Sequence, residues 1–272
     1  MPALARCLTL FQYVQAVTEG PVARIDQAGC YSVPTLRGEA FSVRPGGVAL
    51  RLDGEAVDSA VLVQDESGGG AVELRLLDQG GRTVHRGRLL SEGDRLLAGL
   101  VEGVGSAAGV SNGLPEVPGW EDGDQLAQFD AVLRDGGVER RVGFPRYRGE
   151  CREVDAGVVP AVFDHLCSVE LPIGIGVFAP GVMQACAGPV HVTDVTSGGR
   201  LFAAVGQGSV EFDLTGVHTC RLVRSSAAHG PTSALELDDR EGRCVAVITQ
   251  FGIVGEAVHE AWEHLAASLP GS

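Results

Sequence analysis

The chain has 272 residues, 44% of them hydrophobic, which is enough for one large domain or two ordinary ones. Its formal net charge is −14, and this argues against general nucleic-acid binding, which requires a basic surface. All 21 basic residues are arginine, so the chain lacks the lysine of a Schiff-base enzyme and that of a phosphate-binding loop.

The cysteines and the start of the chain indicate the compartment. The seven cysteines are widely spaced, and no two of them form a C-x-x-C pair. This pattern predicts reduced thiols and argues against a disulfide framework or a structural zinc site. The first residues, MPALARCLTLFQYVQAV, lack a signal-peptide cleavage site, and no apolar run approaches the roughly 18 residues of a membrane helix. We therefore expect a cytoplasmic protein without membrane insertion.

The first part of the chain is predicted to be mostly strands, followed by a helix. Alternation of apolar and polar residues predicts strands over 20–36, 40–52 and 57–63. Ser91–Val101 has helical spacing after a serine cap, and the next stretch is rich in Gly, Pro and Ser. We therefore predict a first repeat half at 1–104, a linker at 105–124 and a second repeat half at 125–272.

The second part begins with two helix candidates, Gln125–Leu133 and Val158–Val169. Leu171–Phe178 is a continuous apolar run and predicts a buried strand. Further strands are predicted over 183–254. The chain then ends in a helix over Gly255–Leu269, whose apolar residues recur at helical spacing.

A short motif occurs twice, as VELRLLDQGGRTV at 72–84 and ALELDDREGRCVAV at 234–247. The two copies share six identities at a constant offset of 161 positions (235 − 74). The matched pairs are Leu74 and Leu235, Leu76 and Leu237, Asp78 and Asp239, Gly81 and Gly242, Arg82 and Arg243, and Val84 and Val245. Leu-x-Leu followed by Asp and Gly predicts a strand, a turn and a second strand. We therefore predict an α+β fold: a tandem duplication of two similar halves, each a mainly antiparallel sheet with flanking helices.

Motifs for catalysis and metal binding fail on their spacing. HEAWEH at 259–264 fits neither H-E-x-x-H nor H-x-x-E-H, and IGIGV at 173–177 lacks the third glycine of a nucleotide-binding loop. We therefore predict no catalytic residue and no metal site. Arg134–Arg152 holds six arginines and Tyr147 in an acidic chain. It is either a solvated loop or an anion site, because the guanidinium group matches carboxylates and phosphates bidentately.

Three segments resemble motifs of the HemS/ChuS family of haem-trafficking proteins, also called haemin-degrading factors. Leu171–Val190 is similar to P-I-M-x-F-V-G-N-x-G-x-I-Q-I-x-T-G-P-V. Val217–Gly252 is similar to V-T-S-L-E-L-F-D-x-x-G-x-x-I-A-Q-F-F-G, and Ala71–Leu89 to S-L-Q-F-F-D-x-x-G-x-A-V-H-K-x-Y-L. The resemblance covers nearly the whole chain and itself implies a tandem duplication.

The resemblance implies a haem site in a cleft between the halves. In the family an axial His lies in a helix of the form Asp-x-His-x-Phe-Phe, and an Arg follows thirteen residues later. Arg140 fits that Arg, and the same count places Ala127 where the axial His is expected. Arg224 fits the Arg of a second family motif, Arg-Lys-Pro.

Because alanine has no lone pair, haem iron would need another ligand. Tyrosine is a known haem ligand, which makes Tyr147 one candidate. His85, which fits the family's Val-His-Lys, is another, and a water-ligated or unligated iron is a third alternative. Arg146 and Arg148 are candidates for pairing with the propionates. The cofactor-binding residues that we expect are Arg140, Arg224, Arg146, Tyr147 and His85.

Two functions remain open, beside a third and weaker alternative, an unrelated α+β enzyme, which would require a catalytic constellation that the sequence does not show. The first is a cytoplasmic protein that binds haem and passes it on, with a haem ABC importer or a haem-accepting enzyme as its partner. The resemblance also implies haem degradation, which some family members carry out. The second is a scaffold of this fold that has lost its haem ligation and binds another anionic or tetrapyrrole ligand, or a protein partner. The missing His favours the second, and the overall resemblance favours the first.

Overall fold

The computed structural model describes residues 7–44, 46–64, 72–102, 125–143, 151–227, 230–251 and 254–271. The helices in these ranges are α1 (Glu92–Glu102), α2 (Gln125–Asp135), α3 (Val138–Gly143), α4 (Val158–Ser168) and α5 (Glu256–Ser268). The strands before α2 are β1 (Val14–Glu19), β2 (Ala23–Tyr31), β3 (Thr35–Leu36), β4 (Gly47–Leu52), β5 (Val57–Gln64), β6 (Val72–Asp78) and β7 (Thr83–Leu89). Those after α3 are β8 (Cys151–Val154), β9 (Pro172–Ala179), β10 (Val182–Val195), β11 (Arg200–Val205), β12 (Gly208–Asp213), β13 (Thr219–Ala227), β14 (Gly230–Asp238) and β15 (Cys244–Thr249).

The predicted α+β class is confirmed, and so are the helices predicted on either side of the second set of strands. Helix α3 was not predicted, because it lies inside the arginine-rich stretch interpreted as a loop or an anion site. The predicted linker lies outside the described residues. Among the described helices, none is both long and apolar enough to cross a membrane.

The repeated motif folds twice into the same hairpin, β6–β7 and β14–β15. In the first turn, the Asp78 carboxylate accepts hydrogen bonds from the backbone N–H groups of Gly80 and Arg82, both at 2.9 Å. In the second turn, the Asp239 carboxylate accepts the matching pair, also at 2.9 Å. The glycines at 81 and 242 have φ values of 73° and 74°, which explains why glycine recurs there. The internal repeat is therefore confirmed in atomic detail.

The two halves exchange strands. The sheet runs in the order β5-β6-β7-β1-β2-β12-β11-β10-β9-β15-β14-β13-β8, and β4 pairs with both β10 and β2. Ala23 of β2 lies opposite Phe212 of β12, and Leu50 of β4 lies opposite Gln184 of β10. The offset from Ala23 to Gln184 (184 − 23 = 161) equals that of the repeat, and the offset from Leu50 to Phe212 (212 − 50 = 162) differs from it by one residue. Each half therefore contributes a strand that pairs with the other, and the boundaries at 105–124 stay a prediction.

Helices cover the two faces of the second half differently. Alternate residues of β14, Leu235 and Leu237, face a core that includes Phe163 of α4 and Trp262 of α5. The residues that alternate with these leucines along the strand point to the other face, where Ala234 packs in a cluster with Phe129 of α2. The sequence of β14 therefore separates an apolar α4–α5 face from an α2–α3 face.

We predict that glycine is required more strongly at 181 than at 81. Both have a φ of 73°, where alanine costs about 1 kcal/mol. A Cβ at Gly81 would meet nothing within 4 Å, whereas one at Gly181 would lie 2.6 Å from the Ala56 Cβ of the other half. In urea unfolding, Gly81→Ala should lower the free energy of unfolding by about 1 kcal/mol. Gly181→Ala should lower it by at least about 1 kcal/mol more. Equal losses would contradict this packing.

Candidate functional site

The α2–α3 face of the second half carries buried charges. Arg140 of α3 forms an ion pair with Glu236 of β14, and the two side chains are 1% and 0% exposed. Beside it, Arg221 of β13 pairs with Asp238 of β14, whose side chain is also fully buried. Two guanidinium groups therefore balance two carboxylates inside the protein, an arrangement that leaves little net charge.

The same face has hydrogen-bonding capacity that the described residues do not fill. Gln128 of α2 donates its amide N–H to Glu236. The other carboxylate oxygen of Glu236, the amide oxygen of Gln128 and the hydroxyls of Ser225 and Thr232 have no partner within the described part of the chain. Partly satisfied buried polar groups of this kind are costly, so this face is a strong candidate for a functional role.

Helix α2 is attached to the first half by a third buried ion pair. Arg51 of β4, fully buried, donates to the Asp130 carboxylate at 2.6 Å. The other oxygen of Asp130 accepts from the backbone N–H of Gly38 at 2.8 Å, and Arg51 also donates to the Glu39 carbonyl at 2.7 Å. The α2–α3 face therefore lies where the two halves meet.

Three phenylalanines fill the space beside α2. Phe41, Phe129 and Phe251 contact one another edge to face, with ring centroids 5.5 to 6.4 Å apart. The Phe251 ring lies so close to Gly174 that a side chain there would overlap it, and a Cβ at Gly176 would lie 2.8 Å from Met183. The family motif quoted above has Met and Phe at these two glycine positions. Phe251 and Met183 therefore fill the space beside the α2–α3 face that side chains at 174 and 176 would need.

The structure separates the two arginines that the sequence placed at one site. Arg140 is buried on the α2–α3 face. Arg224 shares the register of Leu222 on β13, lies on the α4–α5 face with its side chain 57% exposed, and is 3.9 Å from Glu263. Arg146 and Tyr147 lie outside the described residues, so their places in the site stay predictions.

His85 lies in the core of the first half. Its Nδ1 is 2.8 Å from the Thr18 hydroxyl, and its Nε2 is 2.7 Å from the Tyr31 hydroxyl. Thr18 donates in turn to Gln184, so Nδ1–H donates to Thr18 and Nε2 accepts from Tyr31. Burial lowers the pKa of His85 to about 3 and raises that of Tyr31 above its usual range. His85 is thus neutral, 1% exposed, and has no nitrogen open to iron.

The described residues of the α2–α3 face fit the anionic part of a haem better than its iron. Arg140 offers a buried cation, although Glu236 already pairs with it. Ala127 of α2 offers no ligand atom, and the Cys244 thiol donates at 3.3 Å to a backbone carbonyl. Cys244 also lies within 4.8 Å of carboxylate oxygens of Glu236 and Asp238, but both carboxylates are paired with arginine. This charge balance does not favour a cation.

We predict that the buried pair contributes strongly to stability. Glu236→Gln removes the carboxylate that pairs with the buried Arg140 and should lower the free energy of unfolding by about 3 kcal/mol. Glu241→Gln is the matched control, because Glu241 (69% exposed) pairs with Arg243 (61% exposed) at the surface, and it should cost less than about 0.5 kcal/mol. Urea unfolding of both variants tests this, and similar losses would contradict it.

We also predict a pH dependence from His85. Its folded pKa lies below its unfolded value of about 6.5, so the unfolded chain binds the extra proton and stability falls as the pH falls through this window. Between pH 7 and pH 5 the loss should be about 2 kcal/mol, and His85→Gln should remove that part of the slope. The exposed His165 provides the control variant His165→Gln. An unchanged slope in His85→Gln would show that His85 is not held neutral.

No family model matches the chain, and no curated protein matches it. Solved structures do. Holo-PhuS, a haem-binding protein from Pseudomonas aeruginosa, superposes with a TM-score of 0.72 at 20% identity over 100% of this chain and 85% of its own. ChuS, a haem-degrading enzyme of Escherichia coli O157:H7, superposes with a TM-score of 0.77 at 16% identity over 98% of this chain and 84% of its own. The resemblance found in the sequence is therefore confirmed for the fold: this chain has the architecture of PhuS and ChuS along its whole length.

Proposed function

We propose that this protein binds haem, or a related tetrapyrrole with carboxylate side chains, and acts as its carrier. The observation that carries the proposal is the similarity of the whole chain, both halves included, to haem-binding PhuS. The buried Arg140 supports it, because this residue fits the arginine of the family motif and lies where the two halves meet. A cytoplasmic location, a haem importer or haem-accepting enzyme as partner, and haem degradation are expectations from the resemblance.

Arg140 is the residue that we assign to a ligand carboxylate. Its planar guanidinium suits bidentate pairing with such a group. Because Glu236 already pairs with Arg140, a propionate has to share Arg140 with Glu236 or displace it. When bound, haem supplies the redox chemistry of its iron, and the chain's own contribution is to bind and orient it.

The iron ligand is not supplied by α2 at the position of Ala127. Tyr147 is our candidate, since it lies in the segment 144–150 that joins α3 to β8, and tyrosinate binds haem iron in other proteins. This assignment comes from the sequence alone.

A second candidate function is the binding of a different anionic ligand on the same scaffold. Three observations favour it: alanine at the position of the axial His, the Arg51–Asp130 pair, and the aromatic cluster that packs over Gly174. Asp130 also stands where the family helix motif, aligned on Ala127, has its second Phe. These changes remove features expected of a haem site and replace them with contacts internal to the chain.

We predict that haem binding can be strengthened at Ala127 and weakened at Arg140. In a Soret titration of the purified protein, Ala127→His should tighten binding by about tenfold and change the spectrum, because it restores a ligand for iron. Arg140→Gln should weaken binding by about tenfold through the lost charge-assisted hydrogen bonds. Tyr147→Phe should shift the Soret band if Tyr147 is the ligand.

Arg224→Gln is the comparison for Arg140→Gln, and we expect no change in affinity because its side chain lies on the opposite face of the sheet. Ala127→His does not remove a buried charge, so it tests the site even if Arg140→Gln fails to fold. Absence of saturable binding in both the natural chain and Ala127→His would overturn haem binding and leave the second function.

A further inference from the structure

A cavity of about 380 Å³ lies at the end of α2, where elements of both halves meet. The second half contributes the end of α2, the β9–β10 turn and the start of β15. The first half contributes Pro21, Ala56 and Arg82. Neither Arg140 nor Arg224 lines it, although Cys244, at the edge of the α2–α3 face, does.

Three arginines from three different elements line the cavity: Arg82, Arg134 and Arg243. Arg82 and Arg243 are equivalent positions of the repeat, so the duplication itself places a guanidinium from each hairpin here. Their side chains are 76%, 51% and 61% exposed. Within the described ranges Arg82 pairs with Asp78 at 2.8 Å, Arg134 with Glu139 at 2.9 Å and Arg243 with Glu241 at 3.2 Å. A guanidinium has five N–H donors, so each retains donors for a ligand.

The two acidic residues that line the cavity are engaged by the backbone. Asp135 accepts from the N–H groups of Gly137 at 2.8 Å and Glu139 at 2.7 Å. Asp239 accepts from those of Glu241 and Arg243. With three arginines and two aspartates, the lining has a net charge of +1 (3 − 2), in a chain whose net charge is −14. The carboxylates of Asp78, Glu139 and Glu241 that pair with these arginines bring the local count to −2 (3 − 5), so an anion would be recognised by the directional N–H donors of the guanidinium groups and not by a net positive charge.

The other walls of the cavity are apolar and held in place. Val132, Leu133, Phe178 and Val245 are each no more than 4% exposed and form part of the lining. Backbone hydrogen bonds fix the walls, from Asp53 to the carbonyl of Gly181 at 2.8 Å and from Cys244 to that of Gly136 at 2.9 Å. A preformed apolar cavity with a few convergent polar groups is the usual form of a small-molecule site.

We propose that this cavity binds an organic anion, with a carboxylate, sulfonate or phosphate carried on an apolar body. The apolar walls receive the body, and Arg82, Arg134 and Arg243 bind the anionic group. This site needs no iron ligand and does not depend on the haem proposal. It gives the protein a second means of recognising an amphipathic anion.

The test uses two fluorescent probes with the same body. 8-Anilinonaphthalene-1-sulfonate carries an anionic group, and N-phenyl-1-naphthylamine lacks it. We expect saturable one-site binding of the sulfonate and binding of the amine about tenfold weaker. Arg82→Gln and Arg243→Gln should each weaken binding of the sulfonate by about threefold to tenfold and leave that of the amine unchanged.

The matched control is Arg240→Gln, because Arg240 is exposed in the same turn as Arg243 and does not line the cavity. Thermal melts of all variants should agree with that of the natural chain, which excludes probe binding to unfolded protein. Unsaturable binding, equal affinity for the two probes, or the same effect in Arg240→Gln as in Arg243→Gln would overturn the proposal.

Discussion

Backbone hydrogen bonds between strands of different halves join the molecule into one sheet system. β2 pairs with β12, and β4 pairs with β10, so each half provides ladder partners that the other would otherwise lack. An unpaired buried N–H or C=O is costly, so neither half can bury these strands by itself. The position of the α2–α3 face follows from this exchange, because it brings β4 of the first half beneath α2 of the second. Arg51 of β4 can then meet Asp130 of α2 at 2.6 Å.

The charges buried along this junction indicate a role beyond stability. Replacing a buried ion pair by well-packed apolar residues is often neutral or stabilising, whereas removing one partner costs about 3–5 kcal/mol. Stability alone therefore does not explain the three buried pairs, Arg51–Asp130, Arg140–Glu236 and Arg221–Asp238. Two of the pairs attach helices to the sheet, since Asp130 belongs to α2 and Arg140 to α3, whereas Arg221–Asp238 links the neighbouring strands β13 and β14. A ligand that enters beside α2 would meet charges that are already oriented.

Much of the fold could be predicted from local pattern, because each hairpin is specified by neighbouring residues. Asp78 and Asp239 each organise a turn that is complete within five residues, so the repeat was visible without a structure. The strand exchange could not be predicted from the sequence, because β2 and β12 are far apart in the chain and either could have paired within its own half. The site was harder still. Cys220, Leu222 and Arg224 alternate with Arg221, Val223 and Ser225 along β13, and both sets mix apolar and polar residues. Periodicity could not tell which arginine faces α2, and it is Arg221.

The two copies of the repeat have diverged in what covers them, and this explains why one half carries the candidate site. Arg75 of the first copy is equivalent to Glu236 of the second (75 + 161), but it is part-exposed and pairs with Glu73 on its own strand at 2.6 Å. In the second copy α2 and α3 cover this face, so the residue at this position is buried and has to be neutralised by a partner from the covering layer. In the first copy the position equivalent to Ala246 is His85, which is neutral and hydrogen-bonded within the core. The duplication thus provided two similar sheets, and the helices that follow the first half turned one face of the second sheet into an enclosed, charged surface.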